Sequence, residues 1–312
     1  MKTQHNNWLS SYINAWRRKH RLNLFHSGRT AESDQITQIQ DGLIHHGRQN
    51  RRLYVMKVPS ANLPGFFDRI EQMAVNNRYE KIIVKMPADL QEFVIQRGYE
   101  SEAVIPGFFK GQTDCVFMGR YLREARRNDK SKALIEDVLA QAMKRQSDQE
   151  PLEELAADMI CRRAGENDAE NMAALYRDVF ASYPFPIHDS NYIKKTMRDN
   201  VIYTGIWQED RLIGVASSEL DRKARNAEMT DFAVAGDSRG QNLSTILLQQ
   251  MEKDLRANEN TMTLYTIARA VSYGMNYTFA RNGYVFGGTL INNTQIAGRI
   301  ESMNIWYKNL EP

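Results

Sequence analysis

The sequence predicts an α/β (α+β) protein, a mixed and mostly antiparallel sheet flanked by helices, and three stretches carry that reading. Val201–Trp207 and Leu212–Leu220 read as two strands around the polar turn Gln208-Glu209-Asp210-Arg211, an antiparallel hairpin. Glu228–Ala235 is a strand and Gly236–Asn242 a turn; Leu243, Ile246, Leu247, Met251 and Leu255 then recur at helical spacing before a strand at Thr263–Ile267. A helix between two strands is the connection a parallel pair requires. The closing strands, 284–291 and 301–308, have no helix between them.

The 312 residues are long enough for two domains, each with its own core. The chain divides into a basic amphipathic extension (1–30), a first domain (31–125), a helical linker (126–157) and a second domain (158–312). In the first domain, residues 31–49 are expected to be helical, with Ile36, Ile39 and Leu43 as one face. Arg52–Val58 is a strand, 64–77 a helix, Lys81–Met86 a strand and 88–97 a helix ending before Gly98-Tyr99. Strands at Val104–Phe109 and Thr113–Gly119 complete it. Ala133, Ile135, Val138, Leu139 and Met143 make the linker a helix with a solvated face, followed by Pro151 and the acidic pair Glu153-Glu154. The second domain opens with the strand Met159–Arg162 and helices at 168–181 and 190–198, and has a further helix at 271–281. Ile82-Ile83-Val84, a helix, Gly98-Tyr99 and two strands parallel Leu264-Tyr265-Thr266, a helix, Gly283-Tyr284 and two strands, a faint internal repeat.

Composition excludes several classes. A net charge of +3 is too small to imply nucleic-acid binding, and no apolar run approaches the ~18 residues of a membrane span. Cys115 and Cys161 lie far apart in apolar stretches and are expected to be reduced, which with the absence of a secretory signal points to the cytoplasm. Five of the six histidines precede residue 47, and no HExxH or CxxC pair occurs, so no metal site is expected; His45 and His46 are expected at the surface. No acidic residue precedes Glu32, while Trp8, Leu9, Tyr12, Ile13 and Trp16 line one face beside Arg17, Arg18, Lys19 and Arg21. That extension reads as a helix docking on its own domain or a partner, with a membrane surface or a targeting role as the other reading.

The turn at 236–242 carries chemistry. A helix start presents amides without internal partners and the positive end of the helix dipole, so a tight turn there is either plain punctuation or a cradle for a diphosphate, with Arg239 as a local cation. Val234 through Ser244 resembles the acetyl-CoA pyrophosphate loop of the GNAT (Gcn5-related) N-acetyltransferases, Gln/Arg-x-x-Gly-x-Gly/Ala. Arg239 takes its first position, Asn242 stands where glycine is usual, and Ser244 replaces the last small residue. Asn tolerates left-handed backbone, which makes the change mild. The resemblance implies a GNAT fold over 158–312, preceded by a degenerate GNAT-like copy that lacks this loop. It also implies acetyl-CoA held by Val234, Arg239, Gly240, Gln241, Asn242, Leu243 and Ser244.

Further segments narrow it. Ile105-Pro106-Gly107-Phe108-Phe109, Ser182–Ile187, Ala216-Ser217-Ser218-Glu219, Glu228–Phe232, Gly287–Asn293 and Glu301–Tyr307 together resemble the β-lysine N-acetyltransferases, over roughly residues 40–310. The resemblance implies acetylation of the side-chain amine of β-lysine to Nε-acetyl-β-lysine, a compatible solute, with a lysine 2,3-aminomutase supplying the substrate. No nucleic-acid or membrane partner is implied, and a homodimer is left open. At neutral pH an alkyl ammonium must lose a proton before it can attack, so the site needs a carboxylate or a relayed water. Glu228, Asp231 and Glu219 are the candidates, Glu228 as base and the others as binders of a substrate ammonium. Strand alternation would point Glu228 and Asp231 to opposite sides unless a bulge intervenes. The usual GNAT acid, a tyrosine, falls at Phe279 here, leaving Tyr277 or Tyr273 for that role or for packing. Arg269, Asn292 and Asn293 are candidates for the substrate carboxylate, and Pro184-Phe185-Pro186 for the pocket mouth. Acetylation of a polyamine or another amino acid, and a non-catalytic acyl-CoA-binding module, are the rival readings.

Overall fold

In the computed structural model, which describes residues 34–146, 155–181, 183, 185–296 and 298–310, thirteen strands form one continuous sheet. The first half runs β1 (Gln35–Ile39), β2 (Gly42–Gly47), β3 (Arg52–Lys57), α1 (Leu63–Asn76), β4 (Lys81–Pro87), α2 (Gln91–Ile95), β5 (Glu100–Phe109) and β6 (Thr113–Tyr121). Two connecting helices follow, α3 (Glu124–Arg127) and α4 (Lys132–Lys144). The second half begins with β7 (Met159–Arg163), α5 (Ala169–Val179) and α6 (Ser190–Asp199). It continues through β8 (Val201–Gln208), β9 (Arg211–Asp221), β10 (Asn226–Val234), α7 (Leu243–Asn258), β11 (Thr263–Arg269), α8 (Tyr273–Arg281), β12 (Val285–Ile296) and β13 (Arg299–Asn309). The basic extension and linker residues 147–154, with Pro151 and Glu153-Glu154, lie outside the described residues.

The internal repeat is visible in the pairing. β3 and β4 are parallel with α1 between them, β4 pairs β6 and β6 pairs β5; β10 and β11 are parallel with α7 between them, β11 pairs β13 and β13 pairs β12. The two copies meet where Gly288 of β12 pairs with Ala103 of β5. Gly288 has φ +138°, and a Cβ there would fall 2.2 Å from the Glu102 carbonyl oxygen, so only glycine permits the seam.

One expected helix is absent. The described part of residues 31–49 supplies the β1–β2 hairpin, residues 35–47, turning at Gln40 in left-handed backbone (φ 54°) before Gly42. Ile36, Ile39 and Leu43 satisfy a helical spacing, but over so short a run β-branched residues around a turn fit strands as well, and pairing with β3 decides it.

Each half has its own core, and a third lies between them, where Ile83, Cys115 and Phe117 meet Tyr265, Leu290 and Ile305. Phe108 of β5 packs edge-on to Tyr265 of β11 at 5.1 Å, and the Asn226 side chain donates to the Phe108 carbonyl at 3.1 Å. Among the described residues no helix is long and apolar enough to cross a membrane, and no group of three His, Cys, Asp or Glu residues could hold a metal ion.

Candidate active site

β10 and β11 pair only from Asn226↔Thr263 to Glu228↔Tyr265; beyond that β10 follows β9 while β11 follows β13, and the sheet opens. On β10 the register with β9 slips between Thr230 and Ala233, and Asp231 takes left-handed backbone (φ 56°), a bulge that re-aims its side chain. The opening is a cavity of ≈ 260 Å³, just under the usual range for ligand pockets. Thr230, Asp231 and Phe232 form one wall and Thr266–Arg269 another; Glu219, Glu228, Phe185, Met275 and Phe279 also face it, as do His45, Arg52, Tyr54, Met56 and Lys85 from the first half.

The carboxylates differ in what holds them. Glu228 stands opposite Glu219 across β9–β10 and accepts a hydrogen bond from Tyr265 Oη at 3.0 Å. Burial, then the Glu219 charge, push its carboxyl up to about 7. That value suits a group that must take a proton at neutral pH. Asp231 is buried, with one oxygen accepting from Ser217 Oγ at 2.7 Å and the other from the Tyr183 hydroxyl. Its carboxylate thereby anchors the segment that carries Phe185 over the cavity.

Past the end of β10, Gly236–Ser238 makes a single 3₁₀ turn, Gly240 has φ +83°, and Asn242 caps α7 in left-handed backbone (φ 56°). Residues 239–242 are exposed, and a Cβ on Gly240 would meet nothing within 4 Å. Arg211 braces the turn through Asp237 at 2.8 and 3.0 Å. The corresponding start of α1 also has a left-handed Asn cap, but there Pro64 lacks an N–H and the Gly65 amide is taken by Asn62 Oδ1 at 3.3 Å. At α7 the Thr245 amide likewise bonds the Asn242 carbonyl, at 2.8 Å, so the two starts differ at the residue before it, where Ser244 has an N–H and Pro64 has none; an exposed glycine turn with that donor at a sixteen-residue helix suits a diphosphate.

The Acetyltransferase (GNAT) family model matches residues 170–275, from α5 through the turn to the first residues of α8. A β-lysine N(6)-acetyltransferase of Methanococcus maripaludis is 35% identical over 88% of this chain and 98% of its own. The same-named protein of Methanosarcina mazei is 31% identical over 77% of this chain and 95% of its own. The N-acetyltransferase YodP of Bacillus subtilis is 34% identical over 90% and 99%. The chain belongs to the β-lysine N-acetyltransferase family of GNAT proteins. Shares this large run through both halves of the sheet, so the first half is part of the family's architecture.

Within this GNAT acetyltransferase, several residues singled out from the sequence stand away from the cavity. Tyr277 lies on the face of α8 turned to the linker helix, with the Arg145 guanidinium 4.2 Å over its ring, and Tyr273 beside it bonds Asp137. Met275 and Phe279, four apart on the same helix, face the cavity instead; two residues' displacement on a helix reverses the face. Asn292 donates to the Arg126 and Asn128 carbonyls at 3.0 and 3.2 Å, and Asn293 is buried, so both belong to the seam between the halves. Arg269 lines the cavity, but Glu301 occupies its guanidinium at 2.8 and 2.8 Å. Phe185 borders the cavity; Pro184 lies outside the described residues.

The first-half contributors escaped sequence reasoning. Arg52, Tyr54 and Met56 alternate on one face of β3, a period-two signal available in the sequence, but nothing local says that the face turns toward β10. The histidines also depart from the surface expectation. His46 is buried between Thr37 Oγ1 (3.0 Å) and Tyr79 Oη (2.9 Å), and burial pushes His45 down to about 4, leaving a neutral imidazole at the cavity.

Proposed function

We propose that this acetyltransferase transfers acetyl from acetyl-CoA to the terminal amine of β-lysine, giving Nε-acetyl-β-lysine. The observation that carries the reading is the parting of β10 and β11 around a small cavity holding two facing glutamates, with β10 running on through the glycine turn into the start of α7. Arg239, Gly240, Gln241, Asn242, Leu243 and Ser244 would hold the diphosphate. When bound, acetyl-CoA supplies an electrophilic thioester carbon. The bulge backbone at 231–234 offers amide donors where negative charge collects on the reacting oxygen.

Glu228 is the base in this reading, directly or through one water. An ammonium near 10.4 giving its proton to a carboxyl near 7 is uphill by about 4–5 kcal/mol, within an enzymatic barrier. Glu219 would bind a substrate ammonium and Asp231 would fix the Tyr183–Phe185 wall. Residues 158–312 form the transferring unit, and 31–125 complete the acceptor pocket. With β-lysine as substrate, a lysine 2,3-aminomutase would precede this enzyme, and the reaction belongs in the cytoplasm, where acetyl-CoA is made.

The test is acetyl-CoA consumption with β-lysine, α-lysine and polyamines, the acetylated nitrogen located by mass spectrometry. We expect β-lysine to be preferred at its terminal amine. Faster turnover of spermidine would replace this substrate by a polyamine, and acetyl-CoA binding without turnover of any amine would replace catalysis by sensing.

A further inference from the structure

We infer that Arg52, from the first half of the molecule, is the residue that binds the substrate's carboxylate and so selects an amino acid over a plain diamine; the inference rests on the substrate reading above.

Three cations line the cavity: Arg52, Lys85 and Arg269. They are not equivalent. Arg269 presents its Nε and Nη2 edge to Glu301, which fills it at 2.8 and 2.8 Å, so a second carboxylate finds that fork taken. Lys85 acts electrostatically on Glu228 and lies 5.6 Å from the Phe108 ring, which places it with the acidic, acetyl-transferring end. Arg52 is buried, and its Nη1 alone is anchored, donating to the Asn293 carbonyl at 2.6 Å and Thr294 Oγ1 at 3.2 Å. Its Nε has no hydrogen-bond partner, its Nη2 has none among the described residues, and no carboxylate there comes within ion-pair distance.

That vacant Nε/Nη2 edge is the side-on fork that meets a carboxylate with two parallel hydrogen bonds. A buried guanidinium with an unmet donor is costly unless something completes it, and a carboxylate arriving with the substrate would do so. The rigid setting suits selection: Nη1 is pinned by the β12 bulge and the guanidinium lies 5.2 Å from the Tyr54 ring, so little side-chain freedom is lost on binding. The cavity then has a cationic end on β3 and an anionic end at Glu219 and Glu228, matching a molecule with a carboxylate at one end and amines along the rest.

The experiment compares β-lysine with 1,4-diaminopentane, the same skeleton without the carboxylate. Wild type is expected to favour β-lysine in kcat/KM by about 10²-fold, the usual worth of a buried charge pair. In Arg52→Gln, which keeps an amide donor for the Asn293 carbonyl, that preference is expected to fall to within about fivefold, mostly through KM for β-lysine. Arg52→Lys, which keeps the charge and loses the fork, is expected to lie between. A folding defect lowers both substrates together and leaves their ratio intact, so the ratio reports the subsite. Should Arg52→Gln not fold, Arg52→Lys with undiminished preference overturns the assignment, as does wild type turning over both substrates equally well. Wild type inert toward β-lysine would sink the substrate reading itself, whereas full preference retained in Arg52→Gln would remove only Arg52.

Discussion

Glu228 combines two properties that pull against each other, and both are measurable. Its carboxyl is raised because burial and Glu219 disfavour the charged form, and the charged form is the one that can accept a proton. We therefore expect kcat/KM to rise with pH through a limb centred near 7. Glu228→Gln should abolish that limb and lower kcat/KM at pH 7.5 by roughly 10²-fold, with the residual rate following the free-amine fraction and KM for acetyl-CoA unchanged. An identical pH profile in the variant would remove Glu228 from proton transfer. The stability consequence has a definite sign. A carboxyl raised from 4.5 to about 7 binds more protons folded than unfolded, so its contribution is fully present below 4.5 and lost as pH rises through 7. Glu228→Gln should melt at a higher temperature than wild type at pH 8, and the gap should shrink at pH 4; calorimetry at the two pH values checks it.

At the scale of elements, α1 and α7 begin alike and differ at one backbone donor. Both have an Asn cap in left-handed backbone followed by leucine, Asn62-Leu63 and Asn242-Leu243. The next residue separates them: Pro64 has no amide to offer, whereas Ser244 has one. Proline is tolerated in the first turn of a helix, so Ser244→Pro should leave the fold intact while removing a donor from the proposed anion site. We expect acetyl-CoA affinity to drop roughly ten- to a hundredfold, the worth of a hydrogen bond to a charged group, with circular dichroism unchanged. Unaltered binding by calorimetry would move the diphosphate elsewhere. The β10 bulge is the other decisive element, since without its extra residue Asp231 would alternate away from the face that carries Glu228.

Across the whole molecule, the halves are joined by buried cations of the first half and of the connecting helix α3 meeting bare carbonyls of the second. β12 loses register between Leu290 and Thr294, and three successive carbonyls there accept from Lys81 Nζ (Ile291, 2.6 Å), Arg126 Nε (Asn292, 2.7 Å) and Arg52 Nη1 (Asn293, 2.6 Å). Lys81 is fully buried and pairs with Glu102 at 2.7 Å to both oxygens; burial brings its ammonium down to about 8 despite that partner. Lys81→Met leaves a buried carboxylate and an uncapped carbonyl, a change worth about 3–5 kcal/mol. Because the sheet is continuous, urea unfolding should show the loss in one transition that includes Trp306 of the second half. A midpoint that Trp306 does not share would mean that the halves unfold independently.

Much of this was legible in the residues themselves. The order of strands and helices after residue 50 follows from apolar period and turn chemistry, which are local, and the turn at Arg239–Ser244 could be found because a helix start and its glycine are adjacent in the chain. Glu219 and Glu228 could be named, since carboxylates in otherwise apolar strands call for a reason. Tertiary structure alone decided which candidates share the cavity. Tyr277 faces the linker because α4 covers that side of α8, and Arg269 is matched by a glutamate thirty-two positions away. Asn292 and Asn293 are consumed by a bulge at the seam. Arg52 enters the site because the sheet curls its face toward β10, and side-chain contacts between distant strands leave no periodic trace in sequence.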